Sequence, residues 1–203
     1  MKMDLIAGSK NDEFYTPRYA IEPILKYIKR NSKIWCPFDK EESLFVKILK
    51  EEGHEVIHSH IDEEGGNFFL REVPECDYII SNPPYSLKGQ VLNRLFNLGK
   101  PFAMLLGVVG LFESKDRFNM FKNNEFEIMY LNKRVAYFKD YKEQKPSLNP
   151  PFSSVYLCKN MLPKQIVFEE INKKRYNGIR KQLPKTKEEM KCLYFTYQNK
   201  EAC

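Results

Sequence analysis

Residues Ser81-Asn82-Pro83-Pro84-Tyr85 carry the side chains in this chain best suited to chemistry. They put one amide, two stiff backbone units and one flat ring side by side. Proline has a fixed φ and no N–H, so the segment cannot continue a strand ladder, and its carbonyls are left to accept from another partner. The Asn82 amide adds an acceptor oxygen. An amino group with two hydrogens, lying flat against the Tyr85 ring, satisfies that arrangement. The chemistry is therefore that of a nitrogen held by its hydrogens while its lone pair attacks.

The same letters recur at Asn149-Pro150-Pro151-Phe152. Asn followed by Pro-Pro is also an ordinary turn-and-stop signal, so position must decide between the copies. The first follows an apolar run, Asp77-Tyr78-Ile79-Ile80, and the second precedes one, Val155-Tyr156-Leu157-Cys158. Open α/β sheets bind ligands beyond the carboxyl ends of their strands. The copy at Asn82 is accordingly assigned to the site, and the copy at Asn149 is read as loop punctuation.

The elements that must position the loop alternate between strand and helix. Thr16-Pro17 reads as an N-cap with proline at the first helical position, opening a helix striped by Ala20, Ile21, Ile24, Leu25 and Ile28 with a kink or restart at Pro23. A strand at 33–35 ends at Cys36-Pro37-Phe38. Asp39 or Ser43 caps a helix that runs to about residue 52, and Gly53 closes it. Residues 55–59 read as a second strand, 78–81 as the strand carrying the motif, 87–98 as a helix ended by Gly99, and 101–109 as a strongly apolar central strand. A helix at about 114–122 precedes strand material at 127–131 and 134–138, a polar loop at 139–152 and a last strand at 153–158. This alternation predicts an α/β fold with a mostly parallel central sheet, helices on both faces and an antiparallel edge hairpin.

At 203 residues the chain fits one full core. The division expected is a flexible N-terminus at 1–12, a main domain at 13–163 and a basic helical or flexible extension at 164–203. No apolar run approaches the roughly 20 residues that span a bilayer, and the start lacks a signal-peptide core. Five scattered cysteines without a CxxC pair point to a reduced, cytoplasmic setting. His54, His58 and His60 are the only histidines and lack a Cys or carboxylate at zinc spacing, so no metal is expected. The formal charge is +6, and residues 164–203 hold ten Lys/Arg against five Asp/Glu. A clustered basic extension suits nucleic-acid phosphates, in a term independent of base sequence.

With motif and strand order in place, the chain resembles the S-adenosylmethionine (SAM)-dependent N6-adenine DNA methyltransferases of bacteria and their phages over about residues 12–160. Asn82-Pro83-Pro84-Tyr85 resembles their motif IV, the catalytic loop. Glu13-Phe14-Tyr15-Thr16-Pro17 is similar to their N-terminal cofactor motif. Cys36-Pro37-Phe38 stands at the first-strand motif, and His60-Ile61-Asp62 at the acidic ribose-binding position. Asn67-Phe68-Phe69 stands where Asp-Phe-Phe holds the adenine of SAM. The resemblance implies a Rossmann-like SAM-methyltransferase fold, SAM as cofactor and a nucleic-acid partner, DNA before RNA. It implies catalytic roles for Asn82, Pro83, Pro84 and Tyr85. It also implies cofactor binding by Tyr15, Thr16, Pro17, Cys36, Pro37, Phe38, Asp39, Asp62, Asn67 and Phe68.

Two departures stand out. Cys36 replaces the usual first-strand acid, and Asp39-Lys40-Glu41-Glu42-Ser43 stands where the family has a glycine-rich turn, so Asp39 becomes the acid for the SAM ammonium. The acid after the second strand is displaced, with His60 at its place and Asp62 two residues on. Two other readings stay open: a methyltransferase acting on RNA adenine or on a protein glutamine amide, and a SAM-fold adaptor that binds nucleic acid without catalysis.

Overall fold

Among the described residues, seven strands form one mixed sheet and two more form a small separate sheet. The computed structural model describes residues 14–142, 144, 146–148 and 152–173. The expected flexible N-terminus, Asn149-Pro150-Pro151 and the extension from 174 onward lie outside the described residues.

Strands β1 (Lys33–Cys36), β2 (Glu55–His58), β3 (Tyr78–Ser81) and β4 (Phe102–Gly107) pair in parallel. Both β3 and β4 are buried along their whole length, which is why they read as unbroken apolar runs rather than as alternations. Helices cover both faces. On one face α3 (Lys88–Leu98) sets Val91, Leu92, Leu95 and Phe96 against Trp35, Ile79, Met104, Leu106 and Leu157. On the other, α1 (Arg18–Leu25) and α2 (Leu44–Glu51) pack together, and the Tyr156 hydroxyl donates to the Ala20 carbonyl at 2.9 Å. The Rossmann-like, mostly parallel architecture expected from the sequence is the one observed.

Local signals place most helix ends. Ser43 caps α2, its hydroxyl accepting from the Phe45 N–H at 3.2 Å. Gly53 and Gly99 follow α2 and α3 at φ of 84° and 66°, a left-handed turn that glycine adopts without strain. Pro23 sits inside α1 without breaking it, and Pro17, not Thr16, takes the N-cap position.

The far half of the sheet departs from expectation. β8 (Ser154–Lys159) is antiparallel to both β4 and β5 (Glu127–Leu131), so the antiparallel strand lies inside the sheet and not in an edge hairpin. The edge is β9 (Ile166–Glu169), parallel to β5, and the sheet thus extends past the boundary expected at 163. Helix α4 (Lys115–Lys122) precedes β5, and between β5 and β8, β6 (Tyr137–Phe138) pairs with β7 (Pro146–Leu148) within the region read as strand material and loop.

Candidate active site

Strands β1, β2 and β3 run in parallel, so the segments that follow them open at one edge of the sheet, around a cavity of about 240 Å³. Its wall takes Pro37, Phe38 and Asp39 after β1, His60, Ile61, Gly66, Asn67, Phe68 and Phe69 after β2, and Asn82, Pro83, Pro84, Tyr85 and Leu87 after β3. Phe14, Tyr15, Thr16 and Tyr141 complete it. A two-way backbone bridge between Tyr15 and Phe138, at 2.8 and 3.2 Å, brings the N-terminal segment there. Tyr15 and Tyr141 stack with ring centroids 3.8 Å apart.

Three expected cofactor residues are not part of this wall. Cys36 ends β1 fully enclosed, and burial pushes its thiol well up. Pro17 serves as the N-cap of α1. Asp62 is exposed and bonded to Lys40 Nζ at 2.7 Å; that bond, above all, holds its carboxyl below the usual range.

At the end of β3, the Asn82 Nδ2 donates to the Phe14 carbonyl at 3.0 Å. That bond orients the amide and leaves Oδ1 enclosed without a hydrogen-bond partner. The Pro84 carbonyl accepts from the Leu87 N–H at 3.1 Å and starts a 3₁₀ turn (Tyr85–Leu87), so only one of the two proline carbonyls expected outward remains for a ligand. The Tyr85 hydroxyl donates to Tyr137 at 2.6 Å, and Tyr137 exchanges a bond of 2.8 Å with Ser154. Burial pushes Tyr137 up to about 12, with the Ser154 and Tyr85 bonds pulling the other way.

Phe152, from the second Asn-Pro-Pro copy, packs edge-on against Tyr85 at 5.7 Å. The expectation that this copy lies away from the ligand end is corrected for Phe152. Because β8 runs antiparallel, its first residue Ser154 pairs with Gly107, the last residue of β4. The amino end of β8 therefore lies at the ligand edge. A Cβ on Gly107 would sit 2.7 Å from the Phe152 ring, so glycine there makes room for the ring that braces Tyr85.

At the end of β1, Asp39 is buried and accepts from the hydroxyls of Ser43 and Ser81. Burial raises its carboxyl to about 6, partly offset by those two hydroxyls and by His58. Burial also pushes the Tyr141 hydroxyl far up, as does the Asp39 charge, although a bond to Ser43 opposes them. Asn67 Oδ1 accepts from the Phe69 N–H at 2.9 Å, and His60 Nδ1 from the Asp62 N–H at 3.3 Å. Phe68 packs its ring against Phe38 at 4.8 Å.

Tyr141, Leu87 and Gly66 escape a sequence reading. Gly66 is there because a Cβ would fall 1.8 Å from the His60 carbonyl oxygen. Phe14, His60, Ile61 and Phe69 belong to segments the sequence does single out, without a role of their own. Among the described residues no three His, Cys, Asp or Glu converge as a metal site, and no helix is long and apolar enough to cross a membrane.

The donor set fits SAM. Thr16 Oγ1 and Asn82 Oδ1 are enclosed in the wall and unpaired, Asp39 offers a carboxylate to a cation, and Phe38, Phe68 and Phe69 offer an apolar wall to a flat ring.

No family model and no curated protein sequence matches the chain. Among solved structures it is similar to a modification subunit of a putative type I restriction enzyme from Vibrio vulnificus YJ016. The TM-score is 0.50 at 12% identity, over 83% of this chain and 49% of that one. It is equally similar, at TM-score 0.50 and 11% identity, to a chain from a structure on complex assembly and conformational transition of the type I R-M system, over 85% of this chain and 48% of the other. The chain spans about half the length of these structures. At such identity the likeness concerns the fold.

Proposed function

We propose that this protein is a SAM-dependent methyltransferase that modifies the N6 amino group of adenine in DNA. One observation carries the reading: the Asn82 amide, oriented by the Phe14 carbonyl, keeps an enclosed acceptor oxygen unpaired beside Tyr85. Asn82 Oδ1 and the Pro83 carbonyl accept the two amino hydrogens, which favours a pyramidal nitrogen with an available lone pair. Tyr85 stacks on the base once it has left its helix. Flipping costs a few kcal/mol, least for an unpaired base, and stacking offsets part of it. Asp39 holds the cationic end of the cofactor, Thr16 bonds its polar tail, and Phe38 and Phe68 flank its ring. Bound SAM supplies a methyl group on a sulfonium, a leaving group already activated. What the chain contributes is therefore alignment rather than acid–base catalysis. The type I modification subunits of similar fold and the basic extension at 164–203 both favour a DNA substrate.

Labelled SAM offered with separate pools of DNA, RNA and protein, followed by nucleoside analysis, tests the reading. Label in N6-methyladenine from DNA is the expected result. Label from RNA or from glutamine moves the substrate class. Transfer to no pool, with no SAM binding, leaves the adaptor.

A further inference from the structure

We propose that Lys88 and Arg117 form a clamp for the nucleic-acid phosphodiester next to the target base. The inference rests on the methyltransferase reading above, since it places the phosphate beside the catalytic loop.

Lys88 opens α3, one residue after Leu87 of the cavity wall. It is half-buried, and its Nζ donates to the Val109 carbonyl at 2.6 Å. Arg117 reaches across from α4 to the first turn of α3. Its Nη1 lies 3.7 Å from where a Cβ on Gly89 would stand, so the guanidinium rests against the backbone of that first turn. Arg117 Nε is enclosed and has no hydrogen-bond partner.

Two cations are thus held side by side. Burial and then the Arg117 charge lower the Lys88 pKa. Glu113 opposes that effect, but its Oε1 already accepts from the Gly110 N–H at 3.2 Å. One partly engaged carboxylate, Glu113, lies beside Lys88, its Oε2 and the Lys88 Nζ falling 3.8 and 3.3 Å from where a Cβ on Gly110 would stand. Packing like charges together is unfavourable until an anion comes between them. An oxygen anion bridging the ammonium and the guanidinium fork would remove the repulsion with charge-assisted bonds. The clamp lies outside the cavity wall yet adjoins it in sequence, as a phosphate flanking a flipped nucleotide must.

The experiment measures affinity of the full-length protein for fluorescein-labelled single-stranded DNA and RNA of mixed sequence against salt, with SAM affinity and methyl transfer in parallel. Arg117→Gln should weaken nucleic-acid binding about tenfold and reduce the slope of log affinity on log salt by about 0.7. Arg117→Lys should recover part of the loss, and Glu113→Gln should tighten binding twofold or more. SAM affinity should stay at the wild-type value. If wild type binds and methylates while Arg117→Gln and Lys88→Gln keep its affinity and slope, the clamp is wrong and the methyltransferase reading stands. If both variants lower the slope but no transfer occurs, the clamp stands and the catalytic reading falls. A wild type that binds neither DNA nor RNA overturns the clamp.

Discussion

The two sides of the cavity are finished differently. At the end of β3, stiff backbone and a buried hydrogen-bond chain fix Asn82 and Tyr85, yet one acceptor, Asn82 Oδ1, is left over. At the ends of β1 and β2 most polar groups satisfy one another, Asp39 with Ser43 and Ser81, Asn67 with the Phe69 N–H and Asp62 with Lys40, although the enclosed His58 Nδ1 has no hydrogen-bond partner. A buried polar atom without a partner costs about 1–3 kcal/mol. A leftover acceptor is therefore tolerated where something else must fill it. On the proposed reading, Asn82 Oδ1 is the acceptor kept open for the substrate and Thr16 Oγ1 the polar atom kept open for the cofactor, while the turn after β1 is bonded within itself.

That contrast breaks first at Asn82. Asn82→Ala removes the acceptor and should lower the transfer rate by about 100- to 1,000-fold, the scale seen when one preorganised polar contact to a reacting group is lost. Cofactor affinity, measured by calorimetry, should barely move. A rate within threefold of wild type would end the division of labour between the two sides.

On the other side, Asp39→Asn separates stability from binding. An acid raised from 3.8 to about 6 stabilises the fold fully at low pH, and that contribution is lost as pH climbs through the window between those values. The wild type should therefore lose roughly 3 kcal/mol, at most, between pH 4 and pH 7, which the variant keeps. A cationic ligand favours the ionised carboxylate, so wild-type SAM affinity should rise with pH through about 6, whereas Asp39→Asn should bind weakly and flatly. Parallel urea-unfolding curves at both pH values would remove Asp39 from this role.

Gly66→Ala probes the same side by shape alone. Its new Cβ would meet the His60 carbonyl oxygen at 1.8 Å, so the loop must shift, at a cost of about 1–3 kcal/mol. Weaker SAM binding with unaltered nucleic-acid affinity is expected. Equal loss of both would mean that the cavity is one cooperative unit.

Much of this arrangement is legible in the residues themselves. Ile79 and Ile80 announce a buried strand, Ser43 and Gly53 mark the ends of α2, and the prolines after Asn82 stop β3 at the cavity wall. What stays hidden is direction and partnership. β8 is buried on both faces, so its residues carry no sign of whether it runs with its neighbours or against them, and the place of Phe152 beside Tyr85 is lost with that sign. β9 ends in an exposed Phe168 and in Glu169, with Glu170 directly after it, and so reads as the start of a polar tail. Tyr141 lies in a charged loop, and only the tertiary bridge between Tyr15 and Phe138 sets its neighbour where the two rings can stack.

The finest test of the contrast is Tyr85→Phe. If the ring alone matters, the change should be silent. The structure gives the hydroxyl a task as well: it donates to Tyr137, whose own hydroxyl bonds Ser154 at the head of β8. Phenylalanine keeps the stacking face and the edge-on contact with Phe152, but it leaves a buried Tyr137 oxygen with one partner fewer. A net hydrogen bond is worth about 1 kcal/mol, which corresponds to roughly a fivefold effect on whichever equilibrium it serves. Because the ring stays, kcat should fall by less than that while the melting temperature drops by a few degrees. The reverse pattern, with full stability and a tenfold lower kcat, would assign the hydroxyl to the substrate and not to the scaffold, and the β3 side would then hold two leftover polar groups in place of one.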